Sequence, residues 1–217
     1  MKKAVVSWSG GKDSCYAAAQ ALAHGFEPVV LLNVLNEEGS YSRSHRIPKT
    51  ILQQQAKLFQ KPIHLITASW QAYEARFTAA LIELREKFNL EYAVFGDIDL
   101  QAHRDWEEKV CAAAGLQAVL PLWQQDRKAL VLEMLQSGIQ THIVSCNERM
   151  GAHFLGKQLT AKLVTELEAL GIDPCGENGE FHTVVTDCQL FQNPMQVRVT
   201  QTLKHEAYWF ADLALAL

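Results

Sequence analysis

The sequence predicts an α/β protein: a parallel sheet with helices on both faces, followed by a smaller C-terminal α+β region. Three observations carry this. Short runs that are apolar throughout, such as 4–6 and 92–95, alternate with helical patterns over the first half of the chain. Strands of that kind are covered on both faces, as a sheet sandwiched between helix layers requires. The stretch "SWSGGKDS" at 7–14 turns the first strand into the first helix through two adjacent glycines. Past Leu122 and Trp123 the alternation gives way to strand-like segments near the end of the chain.

The elements follow in order. Residues 4–8 read as a strand, and the Ala-rich stretch 14–24 reads as a helix stopped by Gly25. A strand at 29–34 precedes a helix at 49–59, with Pro48 at a favourable first-turn position. A short strand at 62–66 leads to a helix at 70–88, with Tyr73, Phe77, Ala80, Leu81 and Leu84 on one face. The strand at 92–95 ends at Gly96 and Asp97. A helix at about 102–114, a strand near 118–120 and a helix at 127–136 continue the rhythm. Then come a strand at 142–145, a helix at 155–170, and strands at 181–186 and 195–202 separated by Gln192, Asn193 and Pro194. The boundary is placed at Trp123, giving a nucleotide-binding domain at 1–123 and a substrate-side domain at 124–217.

Composition narrows the class. With 217 residues, 48% hydrophobic and 20% charged, the chain has ordinary globular proportions. A net charge of −4 argues against a broad nucleic-acid-binding face, which needs clustered Lys and Arg. No run approaches the ~18 apolar residues of a membrane span, and the start of the chain lacks a signal-peptide core. The 5 cysteines are scattered without a CxxC pair, so neither a zinc ribbon nor a disulfide framework is indicated. A cytoplasmic, reduced setting is expected. The sequence leaves a homodimer open.

The glycine loop is the sharpest chemical signal. Gly10 and Gly11 let the backbone turn tightly and leave its N–H groups uncovered. A helix opening beside them aims its orphan N–H groups and positive dipole end at the same spot, which makes an anion site. Right-handed crossovers place Ser9, Gly10, Gly11, Lys12, Asp13 and Ser14 on the same sheet edge as Gly96 and Asp97. A Walker loop needs G-x-x-x-x-G-K-[ST], but Val6 and Asp13 occupy the required Gly and Ser/Thr positions. A G-x-G-x-x-G fingerprint fails too. A tight serine- and glycine-rich turn without ligand is the plain alternative.

The remaining pattern, S-G-G-x-D-S, resembles the pyrophosphate-binding PP-loop of the ATP pyrophosphatases, the adenine nucleotide α-hydrolase group. That resemblance implies a Rossmann-like, HUP-type sheet, and ATP gripped by its β- and γ-phosphates with the α-phosphorus open to attack. Lys12 would neutralise the leaving pyrophosphate. Asp13 would either accept loop N–H groups or meet Mg2+. The stretches "GDIDLQAHRDWEEKVCAAAGLQAVLPLWQQDRKAL" (96–130) and "DPCGENGEFHTVVTDCQLF" (173–191) look like the diphthine–ammonia ligase family, so the likeness covers nearly the whole chain. It implies adenylation of a carboxylate-bearing acceptor and transfer of ammonia. In archaea and eukaryotes that acceptor is a modified histidine on a translation elongation factor.

Two departures stand out. The family usually has Asp-Gly-Pro where this chain has Asp187, Cys188 and Gln189. "GDIDLQAHRDW" looks like the version carried by bacteria, which lack diphthamide; a bacterial acceptor would then be something else.

Candidate residues on the acceptor side come from three places. Glu177, Glu180 and His182 lie close together with Gly176 and Gly179 between them, and can bind an amine, steer ammonia, or hold a metal with Asp97; a polar turn whose acids cap N–H groups is the alternative. Asn178 belongs to the same stretch. Arg43, His45 and Arg46 form a basic loop that can close over nucleotide or accept an acidic substrate, or simply face solvent. His103 and Arg104 follow Asp97 and face the same edge. Lys12, Asp97, Glu177, Glu180 and His182 are the expected catalytic set. Two rival functions stay open: a tRNA-modifying enzyme with the same loop, and an ATP-binding sensor without chemistry.

Overall fold

The apolar runs do form a parallel sheet between helices. In the computed structural model, which describes residues 1–216, strand β1 (Lys2–Ser7) lies at its centre, flanked by β2 (Phe26–Leu35) and β4 (Tyr92–Val94). Strands β3 (Ile63–Thr67) and β5 (Gln117–Val119) complete the order β3-β2-β1-β4-β5, all parallel.

The period of two sorts each strand's side chains onto two faces. Val5, Val30, Leu32, Val34, Ala93 and Phe95 form one core with α3 (Tyr73–Phe88) and α4 (Gln101–Ala114), through Phe77, Leu81, Leu84, Val110 and Cys111. Ala4, Val6, Trp8, Leu31, Leu35 and Val94 form the other, with α1 (Lys12–Ala23) and α2 (Lys49–Leu58).

That second core does not stop at the helices. It continues into a 4-stranded antiparallel sheet, order β7-β6-β9-β8, made of β6 (Gln140–Asn147), β7 (Phe181–Asp187), β8 (Val197–His205) and β9 (Tyr208–Leu215). Helices α5 (Arg127–Gln136) and α6 (Ala161–Ala169) add Leu130, Val131, Met134, Leu163, Val164 and Leu167 to it. Among the described residues no helix is long and apolar enough to cross a membrane.

Three expectations need correction. The helix expected at 155–170 is shorter, because residues ahead of it run extended: the Leu159 N–H donates to the Thr141 carbonyl, and Thr160 then caps the helix by accepting from the Leu163 N–H. Strand β9 was not anticipated. It lies between β6 and β8, so the two strands expected around the Asn193 turn are not neighbours. Helix α1 starts at Lys12 rather than Ser14, which brings the lysine into the first turn.

One buried side chain fastens the glycine loop to both sheets. Gln55 is 0% exposed; its Oε1 accepts from Trp8 Nε1 at 3.0 Å, while its Nε2 donates to the carbonyls of Gly10 at 3.0 Å and Val185 at 2.8 Å. Gln55→Leu keeps the volume but strands the buried Trp8 indole N–H and takes a donor from the Gly10 and Val185 carbonyls. We expect it to cost about 1–3 kcal/mol of unfolding free energy in urea titration, with a loss below a few tenths showing that the loop is held by other means.

Candidate functional site

The glycine loop sits where β1, α1 and the second sheet converge. Gly10 adopts a φ of +85°, and a Cβ there would come within 2.7 Å of Gln55 Oε1 and 2.9 Å of Leu52 Cδ2, so no other residue fits. Strand β7 leans on the loop from the far side: the Val185 N–H donates to the Gly10 carbonyl at 2.9 Å, and the Lys12 N–H to Thr183 Oγ1 at 3.2 Å. The N–H groups of Asp13 and Ser14 have no acceptor among the described residues. Gly96 packs against them, since a Cβ on it would meet the Ser14 nitrogen at 2.8 Å. The hydroxyls of Ser9 and Ser14 lie 3.0 Å apart beside this helix end.

The loop opens onto a cavity of about 510 Å³. Of the residues the sequence singled out, Ser9, Lys12, Asp13, Ser14, His45, Gly96, Asp97, His103, Glu177 and His182 line it. The parallel sheet's edge forms one wall, and the segment 175–182 ahead of and within β7 forms the opposite one.

Lys12 is only 3% exposed, with Nζ donating to both Asp13 oxygens (2.9 and 2.8 Å) and to the Cys175 carbonyl at 2.5 Å. Burial works against its charge, but Asp13 and Glu177 outweigh it and hold the ammonium protonated above its ordinary range. Two imidazoles stack beside it, His45 and His182, with centroids 4.4 Å apart. Burial, then the neighbouring His45 and Lys12, holds His182 well below the usual value; burial lowers His45 as well. Both rings are therefore neutral near pH 7. His45 Nδ1 lies 3.2 Å from the Thr183 carbonyl, a contact only an N–H can satisfy, which leaves Nε2 an acceptor.

Three acids line the cavity, Asp97 and Glu107 on the sheet-edge side and Glu177 on the segment across from it. Asp97 Oδ1 accepts from His103 Nδ1 at 2.6 Å. Burial works against the Asp97 charge, yet His103 and Glu107 hold its carboxyl below the ordinary value, and His103 is raised in turn by Asp97. Glu107, which the sequence reading missed, is 2% exposed; burial, then a hydrogen bond to Asp97 and the Asp97 charge, push it up to about 11, so it keeps its proton and donates it to Asp97. Glu177 is pushed up to about 8, first by burial and then by Asp13. Its signal was legible: Glu107 shares a helix face with Val110, Cys111 and Ala114, all buried, at spacings of three, four and seven.

Other candidates point elsewhere. Glu180 turns back into its own loop, accepting from the N–H groups of Asp173 (3.4 Å) and Asn178 (3.1 Å) and from Asn178 Nδ2 (3.2 Å). Arg43 donates to the Ala68 carbonyl at 2.7 Å and stacks on Trp70. Arg46 pairs with Asp212, and Arg104 pairs with Glu108 and covers Trp123. Arg127, unremarked in the sequence, braces the acidic loop: it reaches both Asp99 oxygens (2.7 and 2.6 Å), Asp173 at 2.6 Å and Asn178 at 3.1 Å. Among the described residues no group of three or more His, Cys, Asp or Glu side chains could hold a metal ion.

The raised acids set a pH dependence of stability. Glu177 titrates near 8 and Glu107 near 11 in the folded chain against an ordinary 4.5, and His103 is raised as well. The folded state therefore keeps protons that the unfolded chain has released, and unfolding free energy falls as pH climbs. His45 and His182, both lowered, act in the opposite sense below about pH 6.5, so we expect the Tm of the ligand-free protein to drop between about pH 7 and pH 9 and the drop to flatten in Glu107→Gln. A Tm that rises over that interval would contradict the burial of these acids.

Comparison with known proteins places the chain in a family. Residues 1–118 match the family model described as the diphthamide synthase N-terminal domain, and residues 126–216 match the diphthamide synthase C-terminal domain. The diphthine–ammonia ligase of Homo sapiens is 29% identical over 232 residues, covering 95% of this chain and 86% of that one. That of Danio rerio is 28% identical over 230 residues, covering 94% and 90%. The ligase of Schizosaccharomyces pombe is 26% identical over 221 residues, which is 92% of this chain but 36% of that one. A solved structure of a predicted subunit of tRNA methyltransferase from Methanocaldococcus jannaschii superposes with a TM-score of 0.46 at 17% identity, over 87% of this chain and 98% of that one.

Proposed function

The chain belongs to the diphthamide synthase family, and from that premise we propose that it is an ATP-dependent amide ligase releasing AMP and pyrophosphate. One observation carries the chemistry: the unpartnered Asp13 and Ser14 N–H groups and the buried Lys12 ammonium converge on one end of the cavity. That end suits the phosphates of ATP.

A carboxylate oxygen of the acceptor attacks the α-phosphorus, and pyrophosphate leaves with the electrons of the broken P–O bond. Lys12 counters the charge that builds on it, in a site where burial strengthens the interaction. The nitrogen of ammonia then attacks the acyl carbon; AMP leaves with its electron pair and the nitrogen sheds a proton to water. His182 and the Nε2 of His45, both neutral, supply acceptors on the loop side of the cavity. Glu180, Asn178 and Arg127 position the segment carrying Glu177 rather than touch substrate.

Mg2+ fits as an ion carried by the nucleotide, because phosphate oxygens would supply most of its ligands. Asp13 is the protein's nearest candidate for it, once Lys12 turns from the carboxylate toward phosphate. We assign 1–123 to the nucleotide and 124–217 to the acceptor, in keeping with the cavity's two walls. A cytoplasmic location and a carboxylate-bearing protein acceptor belong to the same reading. The elongation factor is the first acceptor to try, and a homodimer is to be tested by light scattering.

Pyrophosphate exchange tests the first step. Labelled pyrophosphate should enter ATP in the presence of Mg2+ and desalted extract of the source organism, without ammonium, and not with Lys12→Met. Exchange equal in both proteins would remove the reading.

A further inference from the structure

One lysine is all the cavity offers a triphosphate. Among the described residues that line it, Lys12 is the only lysine or arginine, and its ammonium is already shared with both Asp13 oxygens. His103 is engaged by Asp97 at 2.6 Å. The remaining side chains able to carry positive charge are His45 and His182, stacked with centroids 4.4 Å apart. His45 lies over the glycine loop itself: a Cβ on Gly11 would meet its Cε1 at 2.7 Å and its Nδ1 at 3.0 Å. Nδ1 is committed to the Thr183 carbonyl at 3.2 Å, and Nε2 has no partner among the described residues.

We infer that His45 takes up a proton as ATP binds and becomes the second cation of the phosphate end, with His182 as its neutral stacking partner. The inference deepens the ligase reading and rests on it. In the ligand-free chain burial and the Lys12 charge keep the His45 ring neutral. Phosphate charge arriving beside a buried imidazole reverses that balance, because an opposite charge at close range favours the protonated form. The proton comes from solvent and settles on the Nε2 lone pair; no bond of the nucleotide breaks. The new Nε2–H then donates to a phosphate oxygen in a charge-assisted hydrogen bond.

The geometry selects His45 over His182. His45 gives its Nδ1–H to a carbonyl and has Asp13 nearby to favour a charge, whereas His182 meets only the opposing charges of His45 and Lys12. A second proton would face the first across the 4.4 Å stack, so the pair takes one. The other charged groups around the pair are occupied. On the loop that carries His45, Arg43 donates to the Ala68 carbonyl and Arg46 pairs with Asp212 of β9. Across the cavity Asp97 and Glu107 are engaged with His103 and with each other. Glu177, ahead of β7, acts on Lys12, and titrating near 8 it already holds most of its proton at neutral pH.

The test is isothermal titration of a non-hydrolysable ATP analogue into the full chain with excess Mg2+, at neutral pH, in buffers of different ionisation enthalpy. Wild-type protein should take up about half a proton or more per analogue bound, and its Kd should rise as pH climbs from about 7 to about 9. His45→Gln, which keeps an N–H for the Thr183 carbonyl, should lose both the uptake and the pH dependence and bind about tenfold more weakly at neutral pH. His182→Gln and Glu177→Gln should both keep the uptake. If the His45 variant does not fold, NMR of isotope-labelled histidine reads the wild-type protein directly: one imidazole should pass from one protonated nitrogen to two when the analogue binds. Binding by wild-type protein without proton uptake, or uptake that persists in His45→Gln, would overturn the inference and leave the ligase reading standing. Failure of wild-type protein to bind the analogue at all would remove the ligase reading, and this inference with it.

Discussion

Lys12→Met is expected to lower ATP turnover by about 10²–10³-fold while leaving a folded chain. Methionine keeps an unbranched stem of similar length, so packing beside Phe181, whose ring centroid lies 5.7 Å from Nζ, is largely preserved. What goes is the one ammonium that bridges Asp13 and the Cys175 carbonyl across the two walls of the cavity. Asp13 retains 22% exposure, so water can solvate its carboxylate when the partner is gone. The loss should therefore fall on the chemistry. Lys12 meets charge that grows as pyrophosphate departs, and an interaction stronger in the transition state than in the ground state lowers kcat. Steady-state kinetics should show kcat reduced far more than KM is raised. Lys12→Arg restores the charge but not the compact geometry, and should recover only part of the rate. A methionine variant with wild-type kcat would mean the leaving group is stabilised elsewhere.

The second large effect is expected from Gly96→Ala. Gly96 follows the end of β4 and faces the first turn of α1 edge-on. An added methyl would lie 2.8 Å from the Asp13 carbonyl carbon and 2.8 Å from the Ser14 nitrogen, both backbone atoms that cannot swing aside. Either the helix end is displaced or β4 withdraws, and the overpacking costs about 1–3 kcal/mol. The same methyl covers the N–H groups that the phosphates need. Nucleotide affinity should fall at least about tenfold, measured by titration at a temperature where the variant remains folded. Gly25→Ala is the control: it also has a strained backbone, with φ at +83°, but nothing lies within 4 Å of the added methyl and the site is remote. It should lower Tm without altering nucleotide binding. Equal nucleotide affinity in Gly96→Ala and wild type would show that the phosphates do not use this helix end.

The parallel sheet was legible because its strands are apolar on both faces, a pattern few other arrangements bury. Strand β9 was not, since "YWFADLAL" at 208–215 mixes Ala and Leu in a run that reads as easily helical. The helix forecast at 155–170 failed at its start because Leu159 contributes a backbone bond to β6 that no local pattern announces. The same division holds in the site. The loop at 9–14 shows itself through glycines and hydroxyls at fixed spacing. Arg43, Arg46 and Arg104 showed only that they are basic; Trp70, Asp212 and Trp123, all distant in sequence, decide where they point, while the Arg104–Glu108 pair, four apart on α4, was legible. Glu180 illustrates a subtler limit. Its spacing from His182 matched a shared strand face, but the turn at Gly179 closes the carboxylate onto Asn178 instead. Glu107 and Gln55 could have been found, each a polar residue on an otherwise buried helix face.

Attack at the α-phosphorus is the step on which the ligase chemistry turns. Its most direct measurement is product analysis with ATP labelled separately at the α- and γ-phosphates, using purified protein, Mg2+, ammonium and fractions of desalted extract, with Lys12→Met as control. Label is expected in AMP from the α-position and in pyrophosphate from the γ-position, appearing only with wild-type protein and an acceptor-bearing fraction. Label in ADP and orthophosphate would contradict it, because cleavage would then lie at the γ-phosphorus and the glycine loop would serve a different phosphate chemistry.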